Sequence, residues 1–312
     1  MKFAAYLACI PPNNKNVEKG EILKLYATGV QKYGDEVELV TDMRVVPADV
    51  GMSIGWVHAG SKGTAHLEFR RKIIDYQLNA NKKVLLADSN LFLYKDNTNP
   101  KHYLRYSFNG IFPNTGEYCD KEIDPQRWIT LSKNLNLSLK DYRTTGNHIL
   151  FCLQRNGGWS MGGYDVVEWT AATLKEIRKY TDREIVLRAH PGDKGSKDYL
   201  SPQNLIKKLG HKNNNIRLSQ PGTTLEHDLK NCWAVVNYNS SPTVGAAIEG
   251  YPIFVTDPEK SQCAEISNMN LSDIENPNLP DRQKWVERLA MFHWNFEEIT
   301  NGECWSHMRK YV

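Results

Sequence analysis

The sequence predicts an α/β protein built from two Rossmann-like, doubly wound domains, and three observations lead there. The chain has 312 residues, more than one hydrophobic core usually organises, so two domains of roughly 150 residues are expected. Short apolar runs alternate with amphipathic helical stretches, the rhythm of βαβ units with a mainly parallel sheet. That rhythm breaks once, over about Asn90–Thr145, and then restarts. The expected boundaries are therefore residues 1–145 for the first domain, 146–285 for the second and 286–312 for a helical tail.

The elements follow in order. Phe3–Cys9 is apolar enough for a first strand, and Ile22, Tyr26, Gly29, Val30 and Tyr33 recur at helical spacing. Val37–Val40 and Met52–His58 read as strands, Thr64–Leu78 as a helix and Lys83–Asp88 as a fourth strand. Asn90–Thr145, rich in Asn, Tyr, Pro and Gly, reads as the end of the first domain and a linker. The rhythm resumes with strand His148–Leu153 and a helix over Tyr164–Tyr180, where Val167, Thr170, Leu174 and Ile177 share one face. Strands Glu184–Arg188 and Ile216–Leu218, helix Thr224–Cys232, strand Ala234–Tyr238, helix Thr243–Glu249 and strand Ile253–Val255 complete the second domain. Beyond Asp281 the tail carries Trp285, Trp294, Phe296 and Trp305, which read as buried aromatics of a closing helix.

Composition removes several classes of function. Hydrophobic residues make up 40% and charged residues 24% of the chain, an ordinary globular balance. A net charge of +3 is far from the basic stripe of a dedicated DNA binder. Met1–Ile10 has the charge and apolar run of a signal peptide, but the run stops at Pro11-Pro12 without a small-residue cleavage site, so it reads as a strand. No segment approaches the ~18 apolar residues of a membrane span. The six cysteines are scattered with no C-x-x-C pair, which argues against a zinc cluster or disulfide framework and for a reducing cytoplasm.

Three loops of the second domain follow strands and so share the carboxyl edge of its sheet, where open α/β sheets bind ligands. Gln154–Gly163 carries four glycines, among them Gly157 and Gly158, beside Arg155 and Asn156; its spacing fits neither a dinucleotide fingerprint nor a Walker loop. Close backbone approach and the guanidinium fork suit a phosphate, although a flexible glycine turn has the same composition. Arg188, His190 and Lys194 cluster at the end of another strand, where their donors can converge on a diphosphate. In the third loop, Asn239–Pro252, Ser241 is a fitting N-cap before Pro242, and the helix start offers free N–H groups to an anion. Capping alone would also explain the serines.

Taken in order, strand–His190-Pro191, Gln220-Pro221-Gly222, Leu229-x-x-Cys232 and Ser240-Ser241-x-Thr243-x-x-x-Ala247-x-x-x-Gly250-x-Pro252 resemble the donor domain of GT-B glycosyltransferases, over about Asn147–Asp257. The capsule-polysaccharide and tailed-phage branches look most similar. The resemblance implies two domains facing a central cleft, a tail packing back on the first domain and a nucleotide-sugar donor, taken as UDP-linked. It further implies that the His190 and Ser240-Ser241-Thr243 turns hold the diphosphate, that Gln220 borders the nucleoside and that Glu249 holds ribose or sugar hydroxyls. No metal is expected, since no Asp-x-Asp motif accompanies Arg155, Arg188, His190 and Lys194.

The base that deprotonates the acceptor should come from the first domain, where Asp88 and His58 end strands; Asp88 also suits the cap of a turn at Ser89. The phage likeness favours a hexosyl or pentosyl transfer to 5-hydroxymethylcytosine in double-stranded DNA, with phosphate contacts from Lys15, Lys62, Arg70 and Arg71. Each of these cations also fits a solvated surface. A surface glycan is the alternative acceptor, and a non-catalytic nucleotide-sugar sensor is the alternative from another class.

Overall fold

The computed structural model describes residues 1–11, 17–57, 63–93, 99, 101–155, 159–190 and 215–312. The chain divides into two compact units. One comprises Met1–Asn90, Asn99–Leu135 and Val286–Val312; the other comprises Leu91–Thr98 and Asn136–Trp285. The described residues form eleven strands and nine α-helices.

The first unit is built on a six-stranded sheet of order β11-β5-β4-β3-β1-β2. Strands β1 (Lys2–Tyr6), β2 (Glu36–Val40), β3 (Val50–Ile54) and β4 (Lys83–Asp88) pair in parallel. β5 (Leu104–Phe108) joins β4 antiparallel, and β11 (His293–Trp294), contributed by the tail, joins β5 antiparallel. The first strand is shorter than its apolar run, because Leu7–Cys9 turns into a 3-10 helix. β3 stops before Gly55, whose φ of +68° no extended strand can continue.

Three elements lie inside the stretch that reads as linker or as closing helix. β5 alternates across the sheet, with Tyr106 and Phe108 in the main core. α3 (Pro125–Asn134) begins at Asp124, whose carboxylate accepts from the Gln126 N–H at 2.9 Å, followed by Pro125 at the first helical position. Trp294 belongs to β11 and not to a helix.

Helices α1 (Val17–Tyr33) and α2 (Ala65–Asn79) cover the sheet together with the tail helices α8 (Phe296–Asn301) and α9 (Glu303–Met308). The faces divide by the period-two rule of strands. Leu85 and Ala87 enter the large cluster with Phe3, Tyr26 and Trp305, whereas Val84 and Leu86 enter a smaller one with Val57, Ile74 and Ile111. Trp305 meets the Phe3 ring edge-on at 5.3 Å and donates its indole N–H to Asp35 at 2.8 Å. Arg309 clamps the same carboxylate at 2.7 and 3.1 Å and holds it well below the usual carboxylate range. The tail is thus integral to the first core.

The second unit is a five-stranded, wholly parallel sheet of order β10-β9-β6-β7-β8. Its strands are β6 (His148–Cys152), β7 (Glu184–Arg188), β8 (Ile216–Leu218), β9 (Cys232–Asn237) and β10 (Ile253–Val255). α4 (Val166–Ile177) starts at Asp165, which accepts from the Val167 and Glu168 N–H groups, and buries Val167, Thr170, Leu174 and Ile177 as the periodicity requires. α5 (Leu225–Leu229) is shorter than its pattern, because the buried Cys232 already opens β9. α6 (Pro242–Ile248) returns along the sheet between β9 and β10. α7 (Gln283–Ala290) opens the tail. No described helix is long and apolar enough to cross a membrane.

Two predictions test this packing. A Cβ on Gly29 would lie 1.9 Å from the Ile299 carbonyl oxygen, so α1 and α8 cross with no room for a side chain. Gly29→Ala should therefore destabilise the first unit by about 1–3 kcal/mol, the usual cost of overpacking, read by chemical denaturation. His293 is fully buried, donates Nδ1–H to the Leu289 carbonyl at 2.7 Å and has its pKa pushed down to about 3 by burial. Between pH ~6.5 and that value the unfolded chain binds a proton that the native one refuses, so stability falls as pH falls. His293→Gln should flatten the dependence of stability on pH between about 4.5 and 6 by up to ~1.4 kcal/mol per pH unit.

Candidate functional site

In the second sheet the chain winds from β6 to β7 and β8 on one side and then crosses to β9 and β10 on the other. The reversal lies between β6 and β9, and ligands of open α/β sheets occupy the crevice at such a point, outside the carboxyl ends of the strands. The residues that leave β6 and β9 there are polar and buried. Gln154 and Asn239 are 5% and 8% exposed, and Gln154 Nε2 donates to Asn239 Oδ1 at 2.5 Å. Asn239 Nδ2 donates in turn to the Ser160 carbonyl at 3.1 Å and to Asp257 Oδ2 at 3.0 Å. One amide thus ties the loop after β6, the 3-10 turn Trp159–Met161 of the glycine-rich segment and the loop after β10. Asn237, fully buried, shapes the turn between them, accepting from the Ser240 N–H at 2.8 Å and donating to the Phe254 carbonyl at 3.0 Å.

The glycine-rich segment ends in Gly162 and Gly163 at φ +61° and +94°, the left-handed region that glycine enters without penalty. Lys260 reaches over it: its Nζ is 3.5 Å from where a Gly162 Cβ would sit and 3.9 Å from Asp257 Oδ2. Tyr164, 70% exposed, follows directly. Nearby, burial and then the Asp257 charge push the Tyr238 phenol up. Glycine backbone, ammonium, carboxylate and an exposed aromatic ring therefore share one edge.

The sequence-predicted residues take distinct places. Arg155 is exposed beside Gln154; Asn156, Gly157, Gly158 and Lys194 lie outside the described residues. Arg188 is turned inward. Its guanidinium pairs with the buried Asp228 and donates to the Thr223 carbonyl at 2.9 Å, while the Ser219 hydroxyl donates to the same Asp228 oxygen at 2.6 Å. Arg188 thereby anchors, through Nη1, the loop that displays the exposed Gln220. His190 is half-buried at the end of β7.

Ser241 occupies the cap position but makes no side-chain capping bond, because its own backbone is already helical at φ −60° and ψ −32°. The Ser240 carbonyl closes the turn instead, accepting from the Thr243 hydroxyl at 2.5 Å and its N–H at 3.3 Å; Thr243 is fully buried and committed to that turn. Glu249 stands apart. It follows the seven residues of α6, about 10 Å of helix, and so reaches the amino edge of the sheet. There it lines a cleft of about 310 Å³ with Arg143, Glu226, Lys230 and Tyr251. Helix direction thus separates Glu249 from the donor loops, and the ribose role implied by the resemblance does not fit its position.

In the first unit, Asp88 Oδ1 accepts from the Ser89 N–H at 2.7 Å and Oδ2 from Arg105 at 2.5 Å. Asp88 thus makes the capping contact at Ser89 and is ion-paired with Arg105. His58, Lys15 and Lys62 lie outside the described residues. Arg70 is half-buried and donates to the Cys9 carbonyl at 3.3 Å, and Arg71 is half-buried beside it, so neither is an open surface cation. All six cysteines are free and buried, and burial pushes the Cys119 and Cys152 thiols up to about 12. Among the described residues no cluster of His, Cys, Asp and Glu is arranged to hold a metal ion.

Sequence comparison finds neither a matching family model nor a matching curated protein. Structure comparison does find matches. The β-Kdo 2,7 transferase of Thermosulfurimonas dismutans KpsC superposes with a TM-score of 0.54 at 13% identity, covering 97% of this chain and 99% of that one. The β-Kdo 2,4 transferase of the same KpsC gives 0.52 at 11% identity, covering 94% and 90%. The fold is GT-B. Its carboxyl-edge residues Asn237, Asn239, Asp228, Asp257 and Lys260 were not singled out from sequence. The signal available for the last two was that β10, like β6, β7 and β9, must send its loop to the same edge.

The anchoring role of Arg188 predicts that Arg188→Met, by stranding the buried Asp228 carboxylate, costs about 3–5 kcal/mol in denaturant melts of the second unit. Adding Asp228→Asn should recover much of it. A direct phosphate contact would instead leave stability unchanged and weaken nucleotide binding alone.

Proposed function

We propose that the protein is a glycosyltransferase that moves a sugar from a nucleotide-sugar donor, bound along the carboxyl edge of the second sheet, to a hydroxyl of a surface glycan. The observation that carries this reading is the polar cluster at the switch point between β6 and β9, in a chain that matches Kdo transferases along almost its whole length. A UDP-linked donor and catalysis without a metal are part of the proposal. Its mechanism is electrostatic: fixed N–H groups of the glycine-rich segment and cations on this edge stabilise the charge that develops on the departing nucleotide. For the proton acceptor the proposal takes His58, since Asp88 is held by Arg105 and Ser89.

The glycan acceptor is preferred to 5-hydroxymethylcytosine on two grounds. The whole-length likeness is to glycan-building transferases. Of the DNA-contact candidates that are described, Arg70 spends a donor on Cys9, and both it and Arg71 are half-buried.

The test is a transfer assay with UDP-, GDP- and CMP-linked sugars, read by intact mass, with and without EDTA. The acceptors are a surface oligosaccharide, a cytosine duplex and a 5-hydroxymethylcytosine duplex. Mass gain on the oligosaccharide in EDTA is the expected result. Gain confined to the modified duplex would replace the acceptor, and donor binding with no transfer or hydrolysis would make the protein a nucleotide-sugar sensor.

A further inference from the structure

The cleft at the amino edge of the second sheet lies at the opposite end of the strands from the donor loops, and backbone fixes its walls. Segment 140–143 runs beside the end of α6. There the Lys140 N–H donates to the Ile248 carbonyl at 2.8 Å and the Arg143 N–H to the Gly250 carbonyl at 2.7 Å. A Cβ on Gly250, at φ +89°, would lie 2.0 Å from the Asp141 carbonyl oxygen, so the two segments meet backbone to backbone. A second wall is the end of α5 and the turn into β9, where the Asn231 carbonyl accepts from the Asn147 N–H at 2.7 Å. The space these walls define is about 310 Å³, the lower end of ligand-site volumes.

Polar groups that the fold leaves unused line this space. Tyr251 is 4% exposed, yet its hydroxyl makes no hydrogen bond among the described residues. Arg143 lies over the Tyr251 ring, its guanidinium carbon 4.6 Å from the ring centroid, and its Nε donates to the Glu249 carbonyl at 3.1 Å. Its two terminal nitrogens have no partner among the described residues. Glu226 and Lys230 stand one helical turn apart, and among the described residues neither forms an ion pair. The apolar part of the lining is the buried Leu229.

We propose that this cleft is a second sugar-binding site, separate from the donor edge, that holds a short stretch of glycan. Its charges and shape select that class of ligand. Two cations and two carboxylates line it, so a polyphosphate would meet Glu226 and Glu249, and a polycation would meet Arg143 and Lys230. A nucleobase would find no ring to stack on, because the Tyr251 ring is buried beneath Arg143. A sugar carries hydroxyls that both donate and accept around an apolar C–H face. The lining answers with the donors of Arg143 and Lys230, the acceptor Glu226 and the two-way hydroxyl of Tyr251 around Leu229. That the sugar belongs to the acceptor glycan rests on the transferase reading; its capture by the cleft does not.

The test titrates the full chain with methyl glucoside, methyl N-acetylglucosaminide and methyl glucuronide. Binding is read by saturation-transfer NMR, with and without excess UDP. Saturable binding of at least one glycoside that UDP does not displace is the expected result. Glu226→Ala should weaken it about tenfold, as loss of a hydrogen bond to a charged group does. Tyr251→Phe should weaken it about three- to tenfold, as loss of a neutral one does. Glu226 is exposed, so its variant should melt as the wild type does. In the transfer assay both variants should raise KM for an oligosaccharide acceptor and leave kcat unchanged.

No binding of any of the three glycosides, binding that UDP displaces, or affinity unchanged in both variants would overturn the site and leave the donor reading standing. A chain that binds a glycoside in the cleft but transfers no sugar would keep the site and overturn the donor reading.

Discussion

The second unit depends on a buried amide. Asn239 sits where the winding of its sheet reverses, and its three hydrogen bonds join the ends of β6, β9 and β10. In a water-poor environment such bonds strengthen one another, and an amide stripped of its partners would cost more than the bonds it makes in place. The cluster is therefore all or nothing. With Gln154, Ser160 and Asp257 in register, four loop segments hold one shape; with any of them displaced, a buried donor or acceptor is orphaned. A parallel sheet needs such a device because its ladders specify the strands and leave the loops beyond them free.

The first unit solves the corresponding problem with chain termini and charge. Its sheet is completed by β11, and its core by Trp305, both brought back from the end of the chain. Asp35 collects the Trp305 indole and the Arg309 guanidinium, and Arg127 ties α3 to the tail through Glu298 and the His293 carbonyl at 2.5 Å each. Burial of the Trp305 ring supplies the driving force, and the ion pairs decide where the ring goes.

Much of this was legible in the sequence, and the limits have physical causes. β4, β7, β8 and β10 are bounded as their apolar runs suggest; β4, β7 and β10 are largely buried and near-continuous in hydrophobic residues, whereas the edge strand β8 shows only as Ile216 and Leu218 on either side of the exposed Arg217. β5 is hidden because Arg105 and Ser107 interrupt it; in the fold Arg105 pairs with Asp88, and the Ser107 hydroxyl donates to the Gly110 carbonyl. α3 had readable signals in Asp124-Pro125, but a segment dense in Asn, Tyr, Pro and Gly masked them. At the candidate site, the edge and its loops followed from strand order alone. What did not follow was the use of each side chain. A pair such as Arg188 and Asp228, forty residues apart, has no local signature, and Glu249 looked like a ligand residue until the direction of α6 placed it at the other end of the sheet.

The arginines of the second unit show the same division between holding the scaffold and facing solvent. Arg178 donates to the carbonyls of Thr181, Arg183 and Asn215. Arg183 holds Glu275 and the Gly146 carbonyl, and Arg282 spans the carbonyls of Ala247 and Lys140. A planar fork with five donors is suited to gathering several loop carbonyls at once, and once so engaged it is poorly placed to follow a substrate that arrives and departs. An ammonium on a four-carbon stem gathers less and moves more easily. The second unit spends these guanidiniums on the loops that lead into β6, β7 and β8 and on the end of α6, at the amino edge of its sheet, and leaves Arg155 exposed beyond β6 on the carboxyl edge.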